Sequence, residues 1–127
     1  MNVLGVGIDI VSMERVRHAV EDGGDAFLDA VFTTHEQQSS QQDPNPLAFL
    51  ATAFAAKEAV FKTLGIDWST GVRLSEVEVR HAPTGQPYVA LSGAFAACAK
   101  SRGATAVQIS LSYEQEYAVA CAILVST

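Results

Sequence analysis

PLAFLATAFAAKEAVFKTLG, residues 46 to 65, reads as a single helix with both ends marked. Pro46 suits the first helical position, where its missing N–H costs no hydrogen bond, and Gly65 suits the left-handed residue just past the last turn. Between them Leu50, Phe54, Phe61 and Leu64 recur at helical spacing and form an apolar stripe. Lys57 falls inside that stripe. Glu58 lies on its flank, one turn after Phe54, and Lys62 lies one turn after Glu58. Two readings are open here. In one, Lys57 snorkels and Glu58–Lys62 is a surface ion pair of roughly 0.3–0.5 kcal/mol. In the other, Glu58 is a metal-binding carboxylate between two phosphate-binding ammonium groups. A helix that only fills a core has no use for a lysine in its stripe, because a buried unpaired charge is costly.

Upstream, Val3 to Val11 reads as a strand, with Leu4, Val6, Ile8 and Ile10 on one face, taken as the core face, and Gly5, Gly7 and Asp9 on the other. Glycine weakens a strand unless something must approach its backbone closely, so two glycines clear space beside a carboxylate. The alternative is a tight packing contact with Asp9 as a helix cap. Ser12 can cap a helix over Met13 to Glu21, with Val16 and Val20 inward; Asp22-Gly23-Gly24 breaks it, and Asp25 to Val31 is a second short helix. Thr33-x-x-Glu36 has the form of a capping box, so another short helix can start there. The run Gln37 to Asn45 is polar and reads as a surface loop.

Downstream of Gly65, Ser75 to His81 alternates with Val77 and Val79 inward, Pro83-Thr84-Gly85-Gln86 is a turn, and Pro87 to Leu91 is the return strand of a hairpin. Ser92 to Arg102 is an alanine-rich helix closed by Gly103. Thr105 to Ser112 and Tyr117 to Val125 form a second hairpin. The order predicts one α+β domain over residues 1–127, a mainly antiparallel sheet packed against the long central helix.

A formal net charge of -6 argues against general nucleic-acid binding. The first apolar run follows no basic region and contains Asp9, so it is not a signal peptide, and Tyr117 to Val125 is too short to span a membrane as a helix. Cys98 and Cys121, in small apolar surroundings, read as buried core thiols in a reducing, cytoplasmic setting. His18, His35 and His81 lack metal spacing, and there is no phosphate-binding glycine loop, dinucleotide fingerprint or serine nucleophile motif.

Asp9 and Glu58, from a strand and a helix, can together hold a hard cation such as Mg²⁺, which takes few ligands from protein and fills its shell with water and phosphate. Lys57 and Lys62 beside Glu58 complete a kit for attack on phosphorus: metal, carboxylate base, and ammonium for the leaving group.

The chain resembles a known family. Gly5-Val6-Gly7-Ile8-Asp9-Ile10-Val11, then Phe54-Ala55-Ala56-Lys57-Glu58-Ala59-Val60-Phe61-Lys62, is similar to the 4′-phosphopantetheinyl transferases, and the short length to their holo-acyl-carrier-protein synthase type. Phe49-Leu50-Ala51, Gly85-Gln86-Pro87, Ile109-Ser110-Leu111-Ser112 and Tyr117-Ala118 extend the likeness nearly end to end. The resemblance implies transfer of the phosphopantetheine arm of coenzyme A to a serine of an acyl carrier protein, releasing adenosine 3′,5′-bisphosphate. It implies Mg²⁺ on Asp9 and Glu58, Glu58 taking the serine proton, and Lys62 stabilising the leaving phosphate. It further implies coenzyme A contacts from Lys57, Lys62, Gly65 and Pro87, carrier binding by Arg15, and a homotrimer with sites between neighbouring subunits. Ala53, Tyr113, Gln86 and Ile66-Asp67-Trp68 depart from the family's pattern. A coenzyme A-binding module without transfer activity, or an interaction subunit whose Lys-Glu-Lys set is a solvated face, are the competing readings.

Overall fold

The computed structural model describes residues 1–127. Strand β1 (Asn2–Ser12) runs into helix α1 (Met13–Val31), followed by α2 (Thr34–Gln42) and the long helix α3 (Pro46–Leu64). A hairpin of β2 (Val77–His81) and β3 (Pro87–Leu91), helix α4 (Gly93–Ser101), and a second hairpin of β4 (Ala106–Tyr113) and β5 (Tyr117–Ser126) complete the chain. The strands form two antiparallel sheets, one ordered β1-β5-β4 and one of β2 and β3 alone.

Helix α3 begins and ends where its sequence says. Asn45 Oδ1 accepts from the Ala48 N–H, Pro46 opens the first turn, and Gly65 takes the left-handed conformation at φ 64°. Its sheet-facing side is built of alanines and meets an inner sheet face of small residues, Gly5, Gly7, Ala118, Ala120 and Ala122. A Cβ on Gly7 would lie 1.9 Å from the Ala59 carbonyl oxygen, and one on Gly5 2.1 Å from that of Thr63. Only glycine lets the helix backbone come so near the strand.

That contact inverts the expected orientation of β1. Gly5, Gly7 and Asp9 face inward, while Val6, Ile8 and Ile10 are 62%, 63% and 64% exposed. The alternation was read correctly and its core side was not. The larger side chains cannot fit under α3, so the glycine face takes the core. A bulge between Val3 and Gly5 leaves Leu4 partly buried. Register sets Val6 opposite Ile123, Ile8 opposite Cys121 and Ile10 opposite Val119, all on the outer face. Cys121 and Cys98 are free and half-buried rather than enclosed.

The polar run is also corrected. Residues Gln37 to Gln42 are helical, the body of α2. The capping box forms in full: Thr33 Oγ1 accepts from the Glu36 N–H while Glu36 Oε1 accepts from the Thr33 N–H. Gln37 Nε2 donates to Asp29 Oδ1 and the Phe32 carbonyl, and Ser40 Oγ to the Gln37 carbonyl. α2 is therefore anchored by polar contacts, which hydrophobic periodicity does not register. In α1 the break falls at Gly24, whose φ of 54° and ψ of -141° kink the helix between its two halves. No helix is long and apolar enough to cross a membrane.

Candidate active site

Asp9 is the next inward position along β1 after Gly7, so the approach that Gly7 permits brings α3 against Asp9. Lys62 Nζ reaches across, donating to Asp9 Oδ1 at 3.0 Å and to the Ile8 carbonyl at 2.9 Å. The lysine pairs with the neighbouring strand and not with Glu58 on its own helix. Its side chain remains 50% exposed, against 15% for Asp9. Glu58 stands half-buried beside them. Burial holds its carboxyl above the usual carboxylate range, the Asp9 charge pushes the same way, and Lys62 opposes both.

A cavity of about 310 Å³ opens on this group, with Asp9, Glu58, Ser12 and Arg15 as its polar lining and Phe27 and Phe54 among its apolar walls. Arg15 follows from the capped start of α1, where Ser12 Oγ accepts from the Arg15 N–H. Arg17 is committed elsewhere, to Glu14 and Glu21 on its own helix. The sequence-predicted Asp9, Glu58, Lys62 and Arg15 are thus brought together. Gly65, at the end of α3, and Pro87, paired with His81 at the start of β3, do not line this cavity.

Lys57 is a correction. Its side chain has no exposed surface, and Nζ donates to Glu36 Oε1 at 2.7 Å, the Val77 carbonyl at 2.5 Å and the Leu74 carbonyl at 3.2 Å. All donors of the ammonium are used inside the protein, so it neither snorkels nor reaches a coenzyme A phosphate. Burial lowers its pKa, with the Glu36 charge opposing. Glu36 was visible in the sequence only as a capping-box residue. The signal for its second role was the lysine in the α3 stripe, which required a buried partner. Arg102 was also missed: its guanidinium donates to the Thr63 and Leu64 carbonyls at the end of α3 and to the Leu4 carbonyl of β1, tying together the two elements that carry the site. Of the departures from the family's pattern, Ala53 is enclosed in the core, whereas Trp68 is exposed and stacked on Phe61 at 3.8 Å.

The donor set suits a small hard cation. Two carboxylates face one cavity, and the Glu58 carboxyl, raised first by burial and next by the Asp9 charge, is a group that a divalent ion would hold in its charged form. Asp9 and Glu58 would hold Mg²⁺, leaving its other positions to water and phosphate oxygens.

The family model of the 4′-phosphopantetheinyl transferase superfamily matches residues 5–122. A holo-[acyl-carrier-protein] synthase of Desulforudis audaxviator is 44% identical over 123 residues, spanning 97% of this chain and 93% of that protein. Among solved structures, the holo-[acyl-carrier-protein] synthase of Neisseria meningitidis superposes with a TM-score of 0.90 at 28% identity, covering 98% of this chain and 100% of that one. That of Bacillus anthracis, in complex with coenzyme A (3′,5′-ADP), superposes with a TM-score of 0.80 at 28% identity, covering 98% of both chains.

Proposed function

This chain belongs to the 4′-phosphopantetheinyl transferase superfamily and is a phosphopantetheinyl transferase, and we propose that it moves the 4′-phosphopantetheine arm of coenzyme A to a serine of an apo-acyl carrier protein with Mg²⁺ as cofactor. The observation that supports this reading is the convergence of Asp9 and Glu58 on one cavity that Arg15 also lines, with Lys62 bonded to Asp9.

The reaction is attack of the carrier's serine oxygen on the phosphorus that bears the pantetheine arm. The new serine O–P bond forms as the bridging P–O bond of the pyrophosphate breaks, and adenosine 3′,5′-bisphosphate leaves. When bound, Mg²⁺ supplies charge stabilisation at the pyrophosphate oxygens. Glu58 accepts the serine proton, directly or through a water, and its raised pKa makes it a better proton acceptor than an ordinary surface carboxylate. Lys62 is half-exposed beside Asp9, free to trade part of that contact for the leaving phosphate. Phe27 and Phe54 exclude water beside the reacting groups. Arg15 receives the acidic carrier. Gly65 and Pro87 contact coenzyme A bound between subunits of a homotrimer, and the protein works in the cytoplasm.

The test is mass spectrometry of apo-acyl carrier protein incubated with coenzyme A and Mg²⁺. The carrier should gain the phosphopantetheine mass with the wild-type protein and not with folded Asp9→Ala or Glu58→Ala. Turnover by either variant would sink the metal assignment. Coenzyme A binding without modification of any carrier would select the binding-module reading instead.

A further inference from the structure

Glu36 and Lys57 lie outside the cavity, and neither side chain has any exposed surface. Around their 2.7 Å contact, Glu36 Oε1 also accepts from the Thr33 N–H at 2.9 Å and Oε2 from the Val79 N–H at 2.7 Å, while Lys57 holds the Leu74 and Val77 carbonyls. One pair thereby joins α2, α3, β2 and the turn that precedes it, and no buried side-chain polar atom is left without a partner. A buried ion pair is weak as a stabiliser, since an apolar pair of similar volume is often equally good. Direction is what this pair supplies.

Helix α3 needs that direction. The surface it presents to the sheet is formed by alanines, including Ala51, Ala55 and Ala59, which give shallow ridges and grooves. Such a surface permits close approach but offers few ridges against rotation about the helix axis, and the Lys62 and Arg102 contacts tie only the last turns of α3 to β1. An ammonium with fixed acceptors on two other elements constrains it well. Glu58 follows Lys57 directly, about 100° further round the helix, so the angle at which Lys57 is held is the angle from which Glu58 projects.

We infer that Glu36 and Lys57 are a positioning pair, which sets the rotation of α3 and so aims Glu58 into the cavity beside Asp9. The inference rests on the transfer reading of Asp9 and Glu58.

Lys57→Met, Glu36→Gln and the double variant Glu36→Leu/Lys57→Met test it. The measurements are thermal melting, kcat, the half-saturating Mg²⁺ concentration in transfer, and two calorimetric titrations, coenzyme A and Mg²⁺ each into the full chain. Each single variant should lower kcat by about tenfold or more and weaken Mg²⁺, while coenzyme A affinity stays within about threefold. The double variant removes the unpaired buried charge but leaves the Thr33 and Val79 N–H groups and the Leu74 and Val77 carbonyls without these partners. It should therefore melt above Lys57→Met and below wild type without recovering kcat, a separation that a merely structural role would not produce. Recovery of both by the apolar pair overturns the inference. So does a large loss of coenzyme A affinity in Lys57→Met that Glu36→Gln does not share, since that assigns Lys57 to the ligand. Wild-type turnover is the control for the transfer reading. If wild type leaves carrier unmodified, that reading fails alone, and the calorimetric Mg²⁺ affinity decides: equal values in wild type and the folded double variant overturn the positioning role.

Discussion

Glu58 carries two opposed demands. Burial and Asp9 raise its pKa above the ordinary 4.5, so the folded protein keeps a proton that the unfolded chain releases. Within that window the native state binds more protons, and stability falls as pH rises. The contribution is complete below 4.5 and is gone once pH has risen through the folded value. Glu58→Gln should therefore melt a few degrees above wild type at neutral pH in chelated buffer and lose most of that advantage near pH 4. Mg²⁺ should raise the melting temperature of wild type and not of the variant, while transfer by the variant falls by several orders of magnitude. A variant no more stable than wild type at pH 7 would show that the carboxylate is not strained. Such single-residue behaviour is half legible in sequence. Periodicity put Lys57 inside the stripe, and burial is what the structure has. Its partner, Glu36, sits 21 residues away and reads in sequence as a capping-box residue before a polar run, so local pattern could not supply the pairing.

Between β1 and α3 the decisive contact is the absence of side chains. Alternation along β1 defines two faces without saying which one meets the core, and side-chain size pointed to the wrong one. The deciding fact is the distance at which an alanine-lined helix packs, which no single strand encodes. Gly7→Ala tests that contact. Its Cβ would fall 1.9 Å from the Ala59 carbonyl oxygen and 2.9 Å from the Ala59 carbonyl carbon, both backbone atoms, so the helix itself has to move. A loss of about 3 kcal/mol is expected in denaturant unfolding, with transfer impaired because Asp9 and Glu58 separate. A shift below about 0.5 kcal/mol would mean the strand and helix stand further apart. Helix α1 gives a second test. Arg15 lines the cavity, whereas Arg17 is held by Glu14 and Glu21. Arg15→Glu should raise the KM for carrier by about tenfold or more and Arg17→Glu much less, with the wild-type rate falling as salt screens the attraction. Equal effects of the two changes would remove Arg15 from the carrier surface.

The molecule as a whole leaves its three-stranded sheet bare on one side. Val6, Ile8 and Ile10 are each more than 60% exposed, and register continues the patch through Ile123, Cys121 and Val119 on β5. These six residues carry no charge in a chain whose net charge is -6. An apolar patch of this kind on a charged molecule is suited to a contact surface, and copies of this chain set round a threefold axis would bring the same uncharged face together there. Gly65 and Pro87, proposed to contact coenzyme A, do not line the Asp9–Glu58 cavity of one chain, and a site shared between subunits would allow that. Val6→Asp separates assembly from folding. Val6 is 62% exposed in the single chain and touches none of the catalytic groups, so the substitution should leave the monomer's circular dichroism unchanged. In an assembled sheet face the new carboxylate would be buried without a partner, at a cost of about 3–5 kcal/mol. Sedimentation velocity should show wild type as a trimer and Val6→Asp as a folded monomer that binds coenzyme A weakly and transfers little. A wild-type protein that sediments as a monomer while turning over carrier would refute the assembly, and the bare sheet face would then need another occupant.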